Sequence, residues 1–288
     1  MATVVLLALT GLGLAGLYFL ISSGLSLVFG LAGVLNFAHG LFLSAGAYVC
    51  WWAAESVSLP LAVLIGVAAA AAVGALVELV LIRPLYARPT DQVLVTVGLS
   101  LAGVALLQSV WGVDPRPFPR PAWTSRVIGV LGASVPADRF LLIGVAGAVL
   151  VALLAFLRFT RYGLIIRAGV ENRDMVSALG INVRTAFTLV FAMGGALAGL
   201  AGVLGGMYFG SVSPGQGASL LIFAFIVVVI GGLGSVTGSA VAAVAVALVQ
   251  QFVNYYGAAG AGDVSVVALL AVVLLLRPSS SAKAVASS

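Results

Sequence analysis

Apolar residues run along this chain in long unbroken stretches, separated by short polar connections. The stretches fall roughly at 4–30, 35–54, 60–82, 91–111, 139–157, 185–209, 218–232, 237–256 and 263–276. A helix needs about 20 apolar residues to cross a bilayer core, so the pattern predicts about eight or nine transmembrane helices. A membrane β-barrel shows short alternating segments instead, and these are absent. Gly11, Gly13, Gly16, Gly24, Gly30 and Gly33 crowd the first stretch, which predicts one long helix or a broken pair. The short stretch 218–232 ends in Gly231-Gly232-Leu233-Gly234 and predicts a full span or a half-helix. The fold class is therefore an all-α polytopic membrane protein with some helices broken or half-length. No linker is long enough to separate a second unit, so residues 1–288 are expected to form a single transmembrane domain.

The polar connections predict the orientation. Loop 158–184 holds Arg158, Arg161, Arg167, Arg173 and Arg184, which marks it as cytoplasmic by the positive-inside rule. Counting outward from it, loop 112–138 is external; it holds Pro115, Pro117, Pro119, Pro121 and Pro136. Loop 83–90, with Arg83 and Arg88, and the tail 279–288, with Lys283, are then internal. Residues 1–82 contain no Lys or Arg, so charge leaves the side of the N-terminus and the helix parity open. Met1-Ala2-Thr3-Val4 has no basic start, and the apolar run continues past residue 20; a retained helix is expected, not a cleaved leader.

Composition narrows the class. The chain is 62% hydrophobic and only 7% charged, with a mean hydropathy of +1.25. A soluble domain carries about 25% charged residues, so a cytosolic enzyme, a nucleic-acid binder and a disordered chain are excluded. The net charge of +5 resides in the loops. Cys50 is the one cysteine and His39 the one histidine, too few for a zinc site or an intrachain disulfide. The one lysine, Lys283, follows no glycine run, so no P-loop binds ATP here. Among the acids only Glu171 and Asp174 are close, which argues against a metal-dependent membrane enzyme. Glu78 precedes Arg83 by five residues and is expected near the internal boundary, not as a proton relay. Gln108, Gln250 and Asn254 are expected near external ends, satisfied by water.

Three constellations stand out. Gly33, Asn36, Gly40 and Ser44 are spaced i, i+3, i+7 and i+11, one face of a helix, with His39 beside it. This face either lines a solute path or is interhelical glue. Gly195/Gly199 and Gly202/Gly206 are two GxxxG pairs and read as a helix-packing seam; Gly234/Gly238 repeat the spacing. Residues 171–179 predict a short helix opened by Glu171, Asn172, Arg173 and Asp174. Met175 and Leu179 lie on one side, and Gly180 supplies the stop. Such a helix either lies on lipid headgroups or docks into a partner's groove.

Several blocks resemble one family. They are Gly24-Leu25-Ser26-Leu27-Val28-Phe29-Gly30, Asn36-Phe37-Ala38-His39-Gly40, Gly46-Ala47-Tyr48, Arg83-Pro84-Leu85, Thr96-Val97-Gly98-Leu99-Ser100, Arg167-Ala168 through Leu179-Gly180-Ile181-Asn182, Ala198-Gly199-Leu200-Ala201-Gly202, and Gly231-Gly232-Leu233-Gly234-Ser235. Together, in order and over nearly the whole chain, they resemble the inner-membrane permease subunit of branched-chain amino-acid ABC importers, LivH type. Thr237 before Gly238 and Pro278-Ser279-Ser280 depart from the family's usual turn and ending.

The resemblance implies an ABC importer permease fold that pairs with a second permease of LivM type. Two separate ATPases bind ATP and Mg and drive the pair, an external solute-binding protein delivers solute, and this chain holds no cofactor. It also implies that loop 158–184 is the coupling segment that docks on an ATPase, with Glu171–Gly180, Ser177 included, at its core. The binding protein then docks at loop 112–138. Gly33, Asn36, His39, Gly40 and Ser44 are candidates for the translocation path. Urea or short-amide permeases of the same build are the alternative cargo class. An ATP-independent channel or secondary transporter is the alternative of another class, and a proton-coupled one requires a mid-membrane acid that the sequence does not show.

Overall fold

A computed structural model describes residues 1–33, 35–86, 88–178, 183–258 and 260–276. In chain order, α1 is Ala2–Ala32, α2 His39–Ala53 and α3 Leu59–Val77. α3 continues through a π turn, Glu78–Ile82, and a 3-10 turn, Arg83–Leu85. Then come α4 (Pro89–Trp111), β1 (Arg116–Pro117), β2 (Val127–Val130), β3 (Ala133–Pro136), α5 (Ala137–Phe159) and α6 (Arg161–Ala178). The last elements are α7 (Val183–Phe209), β4 (Ser211–Val212), α8 (Gln216–Gly231), α9 (Val236–Tyr256) and α10 (Ala261–Leu276). Six of these helices are long and apolar enough to cross a membrane, and α8 and α10 are shorter apolar helices.

α1 is one helix of 31 residues, about 46 Å at 1.5 Å per residue and longer than a bilayer core of about 30 Å. Its glycines do not break it; they seat neighbours. A Cβ on Gly16 would meet the Leu142 carbonyl of α5, on Gly24 the Gly194 carbonyl of α7, and on Gly30 the Cα of Gly234. Helix interiors in lipid keep every backbone hydrogen bond because no water competes for it, so glycine there serves packing. α1 ends only at Gly33, whose φ of 68° lets its N–H close on the Phe29 carbonyl at 2.7 Å.

The helices alternate in direction between two ends of the bundle. At one end lie α6, the start of α7 and the α8–α9 turn, where Gly30 of α1 touches Val170 and Gly234. At the other lie the β2–β3 hairpin and the start of α1, where Gly13 packs on Arg139. β1 pairs antiparallel with β4, tying the segment 112–138 to the α7–α8 connection. α1 and α7 form the centre, with 61% and 67% of their spans buried, against 17% for α4 and α5. α4 presents Leu94, Leu101, Leu106 and Val110 outward, as a lipid-facing helix must.

α2 is a half-length helix of 15 residues. It starts deep in the bundle beside Ile21 and ends at the hairpin end, where Trp51 donates to the Pro117 carbonyl at 3.0 Å. α8, with 16 residues, is likewise short. The chain turns from α8 into α9 over Gly232 (φ 95°) and Gly234 (φ 81°), and the Ser235 hydroxyl caps Gly238 N–H at 3.0 Å.

α6 starts ten residues earlier than the short 171–179 helix read from charge and apolar spacing. Thr160 makes the start. Its hydroxyl accepts from Gly163 N–H at 2.9 Å after an extended residue breaks α5. Thr160→Val removes that cap and should cost the α5–α6 corner about 1 kcal/mol. Amide hydrogen exchange over 161–165 will then be faster than in the parent, with α7 unchanged; equal rates would show the cap carries no weight.

Candidate functional site

The Gly33–Ser44 constellation does not lie on one helix. Gly33 caps α1, residues 35–38 make a turn, and α2 begins at His39. The i, i+3, i+7, i+11 reading fails because Asn36 holds a turn: its Oδ1 accepts from Ala38 N–H at 3.0 Å, and its carbonyl accepts from His39 N–H at 3.2 Å. The His39 ring lies against α1, where Nε2 donates to the Ile21 carbonyl at 3.1 Å. Both side chains are buried, and Asn36 Nδ2 and His39 Nδ1 have no hydrogen-bond partner among the described residues. Gly40 lets α2 cross α8 backbone to backbone: a Cβ there would lie 2.7 Å from the Gly217 carbonyl. Ser44 secures the same crossing, donating to the Pro214 carbonyl and accepting from Gly217 N–H, each at 3.2 Å.

The four α7 glycines face three different neighbours. Gly195 and Gly199 meet Ala70 of α3, Gly202 meets the Leu43 carbonyl of α2, and Gly206 seats the Phe118 ring. α7 is thus the post on which α3, α2 and the 112–138 segment close.

The coupling candidates Glu171, Asn172, Arg173, Asp174, Met175 and Ser177 lie in the second half of α6, while Leu179 and Gly180 lie outside the described residues. α6 turns Gly163, Ile166, Gly169 and Val176 inward; Gly169 rests on Leu31 of α1. Met175 is on the opposite face and is 62% exposed, and Glu171 beside it is exposed too. Met175, read from sequence as part of an apolar side turned to lipid or to a partner's groove, is therefore outward-facing, and other residues hold the helix to the bundle. Apolar spacing alone cannot tell which of two faces a short helix turns inward.

Glu78 differs from its sequence reading in its surroundings. It lies at the α6 end, and water does not reach it. Its side chain is fully buried and accepts from Arg83 Nε at 3.3 Å, from the Thr188 hydroxyl at 2.7 Å and from the Tyr86 hydroxyl. Arg83 also donates to Thr188 at 2.9 Å. The cluster pins the end of α3 to the first turns of α7, directly after α6.

A cavity with polar and apolar walls opens at the hairpin end, with a volume of about 680 Å³. α1, α8, α9 and α10 line it together with Tyr208 and Phe209 at the end of α7, and Pro115 of the 112–138 segment borders it. Across its wall runs a hydrogen-bonded row: Tyr18 hydroxyl to Gln250 Oε1 at 2.7 Å, then Gln250 Nε2 to Asp263 Oδ1 at 2.7 Å. Phe223 stacks on Tyr18 with 5.3 Å between ring centres. Next to it Asn254 accepts from Gly262 N–H at 3.0 Å. Gln250 is buried and bonded to protein, not to water as its place near a helix end implied. Its partners come from α1 and α10, 232 and 13 residues away, a distance no local pattern spans. The sequence reading missed this site; the signal that could have found it is Gln250 and Asn254 at i, i+4 on one face of an apolar helix. Ser213, Gly215 and Gln216 line the same cavity, so Ser44 and the α2–α8 crossing lie just beneath it.

Among the described residues no group of three His, Cys, Asp or Glu side chains is placed to hold a metal ion.

Residues 7–276 match the family described as "Branched-chain amino acid transport system / permease component". The chain is 29% identical over 282 residues to the high-affinity branched-chain amino acid transport system permease protein LivH of Escherichia coli strain K12, covering 93% of this chain and 92% of LivH. It is 30% identical over 282 residues to the corresponding permease protein BraD of Pseudomonas aeruginosa, with the same coverage. It is also 29% identical over 259 residues to the fructose import permease protein FruF of Bifidobacterium longum, covering 83% of this chain and 68% of FruF.

Proposed function

The chain belongs to the branched-chain amino acid permease family of ABC importers, and from that premise we propose that it carries leucine, isoleucine and valine inward through a path shared with a second permease of LivM type. It is a transport subunit without catalysis of its own, a membrane protein whose ATP and Mg belong to ATPase partners. The observation that carries the cargo is the likeness over 93% of the chain to permeases named for branched-chain amino acids. FruF, named for a sugar, matches over less of both chains.

The geometry supports a division of labour along the bundle. The α6 end is the cytoplasmic end in this reading, and the outward face of α6 around Glu171 and Met175 is what an ATPase grips. That assignment puts the N-terminus and the 112–138 segment outside, where a solute-binding protein docks. α6 then pulls on α7 directly and on α3 through Glu78, Arg83 and Thr188. The α2–α8 crossing at Gly40, Ser44 and Gly217 is the wall that shifts. Asn36 and His39 support it from behind, each with one nitrogen that has no partner among the described residues and is available for a second arrangement. Weak solute contact suffices, because only a difference in affinity between the two states moves such an equilibrium.

The test is uptake by membrane vesicles holding this chain with its partner permease, ATPases and binding protein. L-leucine uptake should need ATP and fall with excess isoleucine or valine, not with excess urea, acetamide or fructose. Competition by fructose or urea alone would transfer the cargo to those classes. Uptake without ATP or ATPase subunits would favour a channel or secondary transporter.

A further inference from the structure

We propose that the cavity between α1, α8, α9 and α10 is a solute site within this single chain, with Asp263 as the acceptor for a ligand's ammonium group. The proposal rests on the branched-chain reading for the identity of the ligand's apolar part, and on geometry for the rest.

Four observations carry it. The first is size: about 680 Å³ is in the range of pockets that hold small organic ligands, about 300–1,000 Å³. The second is the state of Asp263. It lies in the first turn of α10, exposed on the cavity side, and no Lys or Arg among the described residues makes a salt bridge with it. Asp138, at the same end of the bundle, is by contrast paired with Arg139 at 3.0 Å. A carboxylate at the mouth of a membrane protein's cavity, with no cation paired to it among the described residues, is suited to a cation that arrives.

The third is how Asp263 is held. Gln250 gives its one amide N–H₂ group to Asp263 Oδ1 and uses its carbonyl on the Tyr18 hydroxyl. Tyr18 and Gln250 are buried, at 2% and 5% exposure, so the row is anchored in protein and not in solvent. A carboxylate oriented by a buried amide presents its second oxygen in a fixed direction, which is how positioned acceptors discriminate ligands. The amide's orientation follows from its partners: the carboxylate only accepts, so the nitrogen must face it.

The fourth is the apolar wall. Phe223, stacked on Tyr18, together with Leu14, Leu220 and Phe209 faces the same space. Aromatic faces also attract an ammonium group. The ligand class is therefore a primary ammonium with a branched or unbranched aliphatic body, which an aliphatic α-amino acid satisfies. A sugar or urea has no cation to offer. The cavity lies directly above the α2–α8 crossing, so a solute leaving it meets Ser44 and Gly217 next.

The experiment reads occupancy without transport. In the assembled transporter, Cys50→Ala removes the chain's one cysteine, and Ser219→Cys places a thiol on the exposed, cavity-lining face of α8. The rate of maleimide labelling is measured with L-leucine, with 3-methylbutylamine (leucine without its carboxylate) or with 4-methylpentanoate (leucine without its ammonium). Gln251→Cys, also on the cavity wall, repeats the series from α9 should Ser219→Cys fail to assemble.

Leucine and the amine should slow labelling, and 4-methylpentanoate should not. Asp263→Asn should raise the half-protecting concentration of both by about tenfold or more, the loss of a charge-assisted hydrogen bond. Labelling without ligand should stay at the parent rate, showing an intact cavity. Protection by 4-methylpentanoate equal to that by the amine, or protection unchanged by Asp263→Asn, overturns the proposal. So does leucine uptake with no protection by any probe, which would leave the branched-chain reading standing. Protection by the amine in a transporter that does not take up leucine would retain the ammonium site and overturn the branched-chain reading.

Discussion

Glu78→Ala will destabilise the folded chain by about 3 kcal/mol, because removing one member of a buried ion pair strands its partners. Glu78 is fully buried, and its carboxylate is the common acceptor for Arg83, Tyr86 and Thr188. Alanine leaves those donors facing an apolar gap between α3 and α7. The loss lies at the low end of the range for buried pairs, since the Arg83 side chain is 36% exposed and can turn to water. Glu78→Gln, which keeps one acceptor oxygen, should lose less than Glu78→Ala. Glu78→Ala with Arg83→Met should recover part of the loss by removing the stranded charge. The measurement is the denaturant midpoint of the purified chain in mild detergent, with tryptophan fluorescence as the signal. A midpoint for Glu78→Ala within error of the parent would show that the cluster is solvated and that α3 is held by packing alone. If the cluster transmits motion as proposed, Glu78→Gln should also uncouple ATP hydrolysis from uptake while the chain stays assembled.

Gly202→Leu should abolish assembly. The Cβ of residue 202 would fall on the Leu43 carbonyl, so the clash is with backbone and no rotamer relieves it. Overpacked cores lose about 1–3 kcal/mol, and more where side chains cannot yield. Here α2 must move bodily off α7, which also breaks the α2–α8 crossing at Gly40 and Gly217. The contrast is Gly147→Ala on α5, where a new Cβ meets nothing within 4 Å. That substitution should stabilise the chain, by up to about 1 kcal/mol, through helix propensity alone. Quantitative membrane blots and size-exclusion profiles of both variants decide the matter. Normal assembly of Gly202→Leu would mean that α2 and α7 are further apart than the structure places them.

The two substitutions show where local pattern and fold part company. GxxxG spacing marked α7 as a packing helix, yet it could not assign partners. Gly195 and Gly199 meet α3, Gly202 meets α2, and Gly206 meets a phenylalanine from the 112–138 segment. One helix turns about 100° per residue, so small steps in sequence address different neighbours. The Gly33–Ser44 spacing misled for a related reason. It assumed continuous helix, while Gly33 at φ 68° and the Asn36 side chain together end one helix and begin another. α6 was read too short because arginines at 161 and 167 masked a helical face of Gly163, Ile166, Gly169 and Val176.

By itself the sequence determined the class: an all-helical membrane chain, its spans, its charged connection at 158–184, and a resemblance that fixed the family. Hydropathy suffices for that, because in lipid every backbone polar group must be satisfied within its own helix. Tertiary structure decided what the polar residues do. Tyr18, Gln250 and Asp263 meet across three helices, and Glu78 meets Thr188 across 110 residues. Such pairs arise from helix crossings, which depend on how side chains of distant segments fit, and a linear pattern holds no record of that fit.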